Sequence, residues 1–157
     1  MSLDVSLYRE KIVSYDKGLT FAQENECVYT SNITHNLNTM AEKAGIYEAL
    51  WRPYRIKSGY NKNFTQEGEW EFENKTVVLA KEIIPLLEKG FKRLKLKPKY
   101  YQKFNSSNGW GMYEHFLPFV EECLEACKQY PEAVIKSDRW VTNVLKPLNQ
   151  LQESLTL

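Results

Sequence analysis

The stretch Tyr113-Phe116-Leu117-Val120-Cys123-Leu124-Cys127 constrains the fold more than any other in this chain. Its apolar residues recur at three- and four-residue intervals over four turns, the period of a helix with one buried face. Pro118 sits in the first turns, where proline is tolerated, and Tyr130-Pro131 ends the run. Such a helix cannot stand alone and needs a second apolar layer to cover its stripe.

The second layer comes from two kinds of segment. Leu79, Ile83, Leu86, Leu87, Gly90, Phe91 and Leu94 share another helical face, with Lys81, Glu82, Glu88, Lys89, Lys92 and Arg93 mostly opposite, so a helix is expected over Lys75 to Lys95. Pro85 lies inside it and is expected to kink or split it near Ile84. A third helix is expected over Leu37 to Leu50. Thr34 or Asn36 is the candidate cap at its start, Gly45 is either a C-cap or an interior glycine, and Trp51-Arg52-Pro53 closes it.

The period changes at the amino end. From Asp4 to Thr30, β-branched and aromatic residues (Val5, Tyr8, Ile12, Val13, Tyr15, Val28, Tyr29) dominate around the turn signal Asp16-Lys17-Gly18, so short antiparallel strands fit better than a helix over Leu7 to Tyr15. Ala133 to Lys136 reads as a strand returning to that hairpin. The expected fold is α+β, predominantly helical, with a small antiparallel sheet from the amino-terminal strands packed on a helical layer.

At 157 residues, with 43% hydrophobic and 26% charged residues, the chain suits one domain rather than a disordered segment. Residues 4–139 read as its core, 54–73 as an excursion, lid or strand pair around Gly68, and 140–157 as a C-terminal helical extension. In that extension Val141, Val144, Leu145, Leu148, Leu151 and Leu155 suggest a helix kinked or started at Pro147. A formal net charge of +1 provides no global field for nucleic acid or a membrane surface, and no apolar run approaches the roughly 20 residues that span a bilayer. Three cysteines and no leader-like start give the expectation of reduced thiols in a cytoplasmic protein.

Two polar stretches stand out as site candidates. Ser31 to Asn36 and Asn105 to Gly111 both end at expected helix starts, where unpaired N–H groups and the positive dipole end favour anions. If they lie side by side, Asn32, Thr34, His35, Asn36, Asn108 and Trp110 form a pocket for a phosphate, a carboxylate or a base. Ordinary capping explains the same residue types. Arg52 is a candidate anion clamp stacked on Trp51, with a plain surface arginine as the alternative. His35 and His115 are the candidate general bases, since histidine titrates near neutral pH. No nucleophile or carboxylate stands at a telling spacing from either, and catalytic residues are not assigned. Cys123 and Cys127 are one turn apart on the apolar stripe and read as core thiols rather than metal ligands. No cofactor motif is present.

The ordered set Ser31-Asn32-Ile33-Thr34-His35-Asn36, Ala44-Gly45-Ile46-Tyr47-Glu48, Leu50-Trp51-Arg52-Pro53, Asn108-Gly109-Trp110-Gly111 and Cys127 before Tyr130-Pro131 resembles a group of small uncharacterised proteins of bacteria and their phages. That resemblance implies no activity and no site residue. Tyr54 to Glu73 looks longer than the link in that group, and Trp140 to Leu157 looks added. The functional expectation is a binding module that holds a small anionic ligand or a protein partner between the two polar loops. The alternatives are a hydrolase using His35 or His115 as base, and an interaction domain acting through the aromatics of 54–73.

Overall fold

A computed structural model describes residues 2–15 and 20–140; the side chains of residues 11–15 and 20–24, of His35 and of Trp140 lie outside that description. The expected turn at Asp16-Lys17-Gly18 and the expected helix beyond Trp140 therefore also lie outside the described residues. The chain runs β1 (Ser2–Tyr15), β2 (Thr20–Thr34), a 3-10 turn (His35–Leu37), α1 (Asn38–Ala44), α2 (Tyr47–Trp51), a second 3-10 turn (Pro53–Ile56), α3 (Gln66–Lys75), α4 (Ala80–Leu96), α5 (Pro98–Gln102), α6 (Tyr113–Gln129) and β3 (Val134–Trp140). This is an α+β fold: a three-stranded antiparallel sheet of order β2-β1-β3, with helices packed against it.

The sheet is half-buried, which its alternation dictates. Leu3, Val5 and Leu7 of β1 are sealed in the core, so Asp4, Ser6 and Tyr8 point to the other face. There Ser6 and Thr30 join hydroxyls at 2.9 Å, Asn32 donates to Asp4, and the Lys136 ammonium lies 5.3 Å from the centre of the Tyr8 ring. β1 and β2 pair from Ser2↔Thr34 to Tyr15↔Thr20 with an irregularity at Leu7/Tyr8. β3 pairs with the first half of β1, from Ser2↔Trp140 to Tyr8↔Val134.

The helical layer follows the two long stripes. α6 buries Phe116, Val120, Cys123 and Cys127, and α4 buries Ile83, Leu87, Gly90 and Leu94. The two helices run antiparallel: the Tyr113 hydroxyl at the start of α6 donates to the Leu94 carbonyl near the end of α4 at 2.7 Å, while the Ala80 N–H that opens α4 donates to the Ala133 carbonyl beyond α6. Gly90 lets α4 close on the α1–α2 connection, since a Cβ there would stand 2.2 Å from Ile46 Cγ2.

Four expectations are corrected. The helix over Leu37 to Leu50 is two short helices, because Gly45 adopts φ 77° and its N–H turns back to the carbonyls of Ala41 and Glu42, a left-handed C-terminal cap. Its start is capped by neither Thr34 nor Asn36; Leu37 occupies the cap position without a side-chain bond. The helix expected from Lys75 begins at Ala80 and runs unbroken through Pro85, which stands early enough that its missing N–H frees only the Lys81 carbonyl. Around Gly68 there is a helix rather than a strand pair: Thr65 caps α3 by accepting from the Gly68 N–H at 3.1 Å, the usual side-chain N-cap.

Candidate functional site

The two polar stretches meet, but the first is not a loop: Ser31–Thr34 is the end of β2, paired with β1, and His35–Leu37 is the 3-10 turn that follows it. The Asn36 side-chain amide donates to the Trp110 carbonyl at 3.0 Å, and Gly111, at φ 108°, packs so closely on Asn36 that a Cβ would come within 2.9 Å of the Asn36 Cβ. Both the left-handed backbone and the close approach require glycine there. The 105–111 loop is closed on itself. Asn108 Oδ1 accepts from the Ser106 hydroxyl at 2.5 Å and from the Trp110 N–H at 3.0 Å, the Ser106 N–H donates to the Gly111 carbonyl, and Asn105 Oδ1 accepts from the Tyr113 N–H at 2.7 Å, which caps α6. The loop therefore holds its tip by its own hydrogen bonds, and the Trp110 indole at that tip is 70% exposed.

The other sequence candidates are distributed around this contact. Thr34 Oγ1 accepts from the Asn36 N–H at 3.5 Å. Asn32 stands on the sheet face with its amide on Asp4, two strand positions before Thr34 and so off the loop contact. His35 opens the 3-10 turn beside Asn36. His115 is exposed in the first turn of α6, its N–H on the Met112 carbonyl at 3.0 Å. Asn36, Asn108 and Trp110 are thus brought together by polar groups that bond one another.

Arg52 belongs to a different constellation, one that periodicity does not reveal. Its guanidinium donates to the hydroxyls of Tyr47 at 3.3 Å and Tyr54 at 3.0 Å. The Tyr54 hydroxyl passes a bond on to Glu69 at 2.8 Å, and Glu69 also accepts from Arg55 at 2.7 Å and from Tyr60 at 3.4 Å. Burial opposes the charge on Arg52, but the two tyrosine hydroxyls more than offset it and hold its pKa above the ordinary value. Burial raises the Glu69 pKa, and the bonds from Tyr54 and Arg55 overcome that and leave it below the usual carboxylate range. Tyr47 stacks on Trp51, with ring centres 5.4 Å apart.

This network fastens the 54–73 excursion to the body. Tyr54, Tyr60, Phe64 and Phe72 pack on one another at ring separations of 5.6 to 6.4 Å, so the aromatics of this segment form a small core of their own. Beside it a cleft of about 350 Å³ runs between β3 and the segment before α4, with Glu73, Val77 and Arg139 among its walls.

Cys123 and Cys127 are buried core thiols. A hydrogen bond to Cys127 and burial push the Cys123 thiol pKa up, which suits an inert side chain rather than a nucleophile. Among the described residues, no three His, Cys, Asp or Glu side chains cluster as a metal would require, and no helix is long and apolar enough to cross a membrane. No family model, no curated protein and no solved structure matches this chain.

Proposed function

We propose that this chain is a non-enzymatic binding module that engages a protein partner through the end of the domain where the 34–37 turn and the 105–111 loop meet. The observation that carries this reading is the Trp110 indole, 70% exposed on a loop that is bonded internally and pinned to Asn36. A large aromatic held in place before contact loses little freedom on binding, and tryptophan is the residue type most enriched at interface hot spots. Tyr100, 40% exposed in the same α4–α6 connection, supplies a second aromatic. A protein is favoured over a small anion because the Asn36 amide already donates to the Trp110 carbonyl and the Arg52 guanidinium faces two tyrosine hydroxyls.

The test compares tagged wild-type protein with Trp110→Ala in quantitative affinity capture from an extract of the native cells, with thermal melting as a control for folding. The expected result is a protein enriched at least tenfold on the wild type and lost with Trp110→Ala, at unchanged melting temperature. An identical captured set on both proteins overturns the reading. Stabilisation by phosphate or nucleotide that disappears in Asn36→Ala would favour the small-anion alternative instead.

A further inference from the structure

Between α4 and α6, on the surface, lies an open groove of about 740 Å³. Phe91, Leu96 and Leu124 give it an apolar lining, and Leu96 is 78% exposed, the most exposed of the large hydrophobic side chains among the described residues. An apolar groove between two long antiparallel helices is the surface on which a helical bundle adds further helices.

The charges on its two walls point to what covers it. α4 contributes Lys92 and Lys95 beside Glu88, and α6 contributes Glu121 and Glu125 beside Lys128, so one wall is basic in sum and the other acidic. Lys128 takes both Glu88 and Glu125, at 3.6 and 3.7 Å. Lys92 and Lys95 on α4 and Glu121 on α6 are left without an ion pair among the described residues, and the Lys95 ammonium rests 5.1 Å from the centre of the Phe91 ring. A foreign helix carrying one sign of charge would meet a like charge on one wall. A copy of this same surface meets an opposite charge on both.

The helices also set the heights of these charges. Lys128 stands level with Glu88. Two turns back along α6 and two turns on along α4, Glu121 and Lys95 stand level as well. A twofold axis laid along the groove, parallel to the helices, keeps every residue at its height and sets α4 of each copy on α6 of the other. Lys95 of one copy then faces Glu121 of the second, the same pair forms again by symmetry, and the apolar linings close over one another. Such a surface is its own complement, as a twofold dimer requires, and the two 17-residue helices of each copy make half of a four-helix bundle. From these observations we infer that the α4–α6 face is a self-association surface: two copies of the chain pack groove on groove, exchanging Lys95 and Glu121 contacts.

The test is sedimentation equilibrium of the full-length chain over a range of concentrations, with wild type beside Lys95→Glu, Glu121→Lys and Leu96→Gln, and thermal melting of dilute samples as a control for folding. All three side chains are exposed, so the exchanges leave the core described above intact. The wild type is expected to pass from one chain to two as concentration rises. Each exchange should weaken that association by about tenfold or more, because it sets like charges face to face or puts a polar group against the apolar lining. An equimolar mixture of Lys95→Glu and Glu121→Lys should form a two-chain species that neither variant forms alone, since each reversed charge then faces its opposite across the interface. A single-chain mass at every concentration overturns the inference. Association that the exchanges leave unchanged, or a mixture that stays as single chains, also overturns it.

Discussion

Arg139 Nη2 meets both carboxylate oxygens of Glu73 at 2.6 and 2.7 Å, while its Nη1 donates to the Trp51 carbonyl at 2.6 Å. One guanidinium on β3 thus ties the end of α2 to α3, and both charged side chains are mostly covered. Lysine can keep the charge but not the three directed bonds. Arg139→Lys is expected to destabilise the fold by about 2 kcal/mol in urea unfolding, the range for hydrogen bonds to charged groups. Ser137, whose hydroxyl donates to the Leu50 carbonyl at 2.6 Å, should give a smaller loss, about 1 kcal/mol, as Ser137→Ala.

The contact at Gly90 tests the packing of α4. An added methyl meets Ile46 Cγ2 at 2.2 Å and the Ala44 carbonyl at 3.2 Å, so Gly90→Ala is expected to cost about 1–3 kcal/mol despite alanine's better helix propensity. Ile46→Ala in the same chain removes the clashing Cγ2 but should not restore the loss fully, because the Ala44 carbonyl remains. Chemical denaturation of the two single variants and the double measures both outcomes.

Acid should loosen the attachment of the 54–73 excursion first. The carboxylates of Glu69 and Glu82 sit below their ordinary pKa in the folded state: burial of each is outweighed by the Tyr54 and Arg55 bonds to Glu69, and by the Leu79 N–H and Lys57 bonds to Glu82. A depressed folded pKa means that the unfolded chain binds the proton more readily. The stabilisation is complete above the unfolded carboxylate value and is lost as pH falls through the folded one. Glu69→Gln should lower stability at pH 7 and flatten the stability profile below about pH 4.5, read as melting temperature against pH.

Trp110 should report on its loop. Its exposed indole predicts that Trp110→Phe removes a readily quenched part of the tryptophan emission, leaving the sealed Trp51 among the remainder. Gly111→Ala forces a side chain into φ 108° and against Asn36, with an expected cost of about 1–3 kcal/mol. Its acrylamide quenching curve should differ from that of the wild type, and an unchanged curve and melting temperature would count against the pinned loop.

Where periodicity was strong, the sequence was enough. The stripe from Tyr113 to Cys127 specifies α6, and β-branched alternation specifies the hairpin and the returning strand at Val134. Gly45 was ambiguous because its role depends on φ, which spacing does not carry. Pro85 reads as a breaker in sequence because its distance from the true helix start, set by the Ala80–Ala133 bond, is a tertiary fact. The loop contact was legible only as a condition, since Asn36 and Trp110 are 74 residues apart. The Arg52–Tyr54–Glu69 chain leaves little trace in the sequence: its members come from the residue after α2, a 3-10 turn and α3, and only Trp51-Arg52-Pro53 carries a local signal.

The order of the strands bears on how this chain acquires its structure. β1, the first of the described elements, is the middle strand, and its second neighbour is β3, more than a hundred residues later. The amino-terminal hairpin can zip locally, but its inner strand keeps one open backbone edge until Val134–Trp140 emerges. Sheet completion is thus a late, long-range closure that must wait for nearly all of the described chain to be synthesised. Until then the emerging polypeptide carries an adhesive flank, and the interval before closure is when neighbouring nascent chains most easily pair with it.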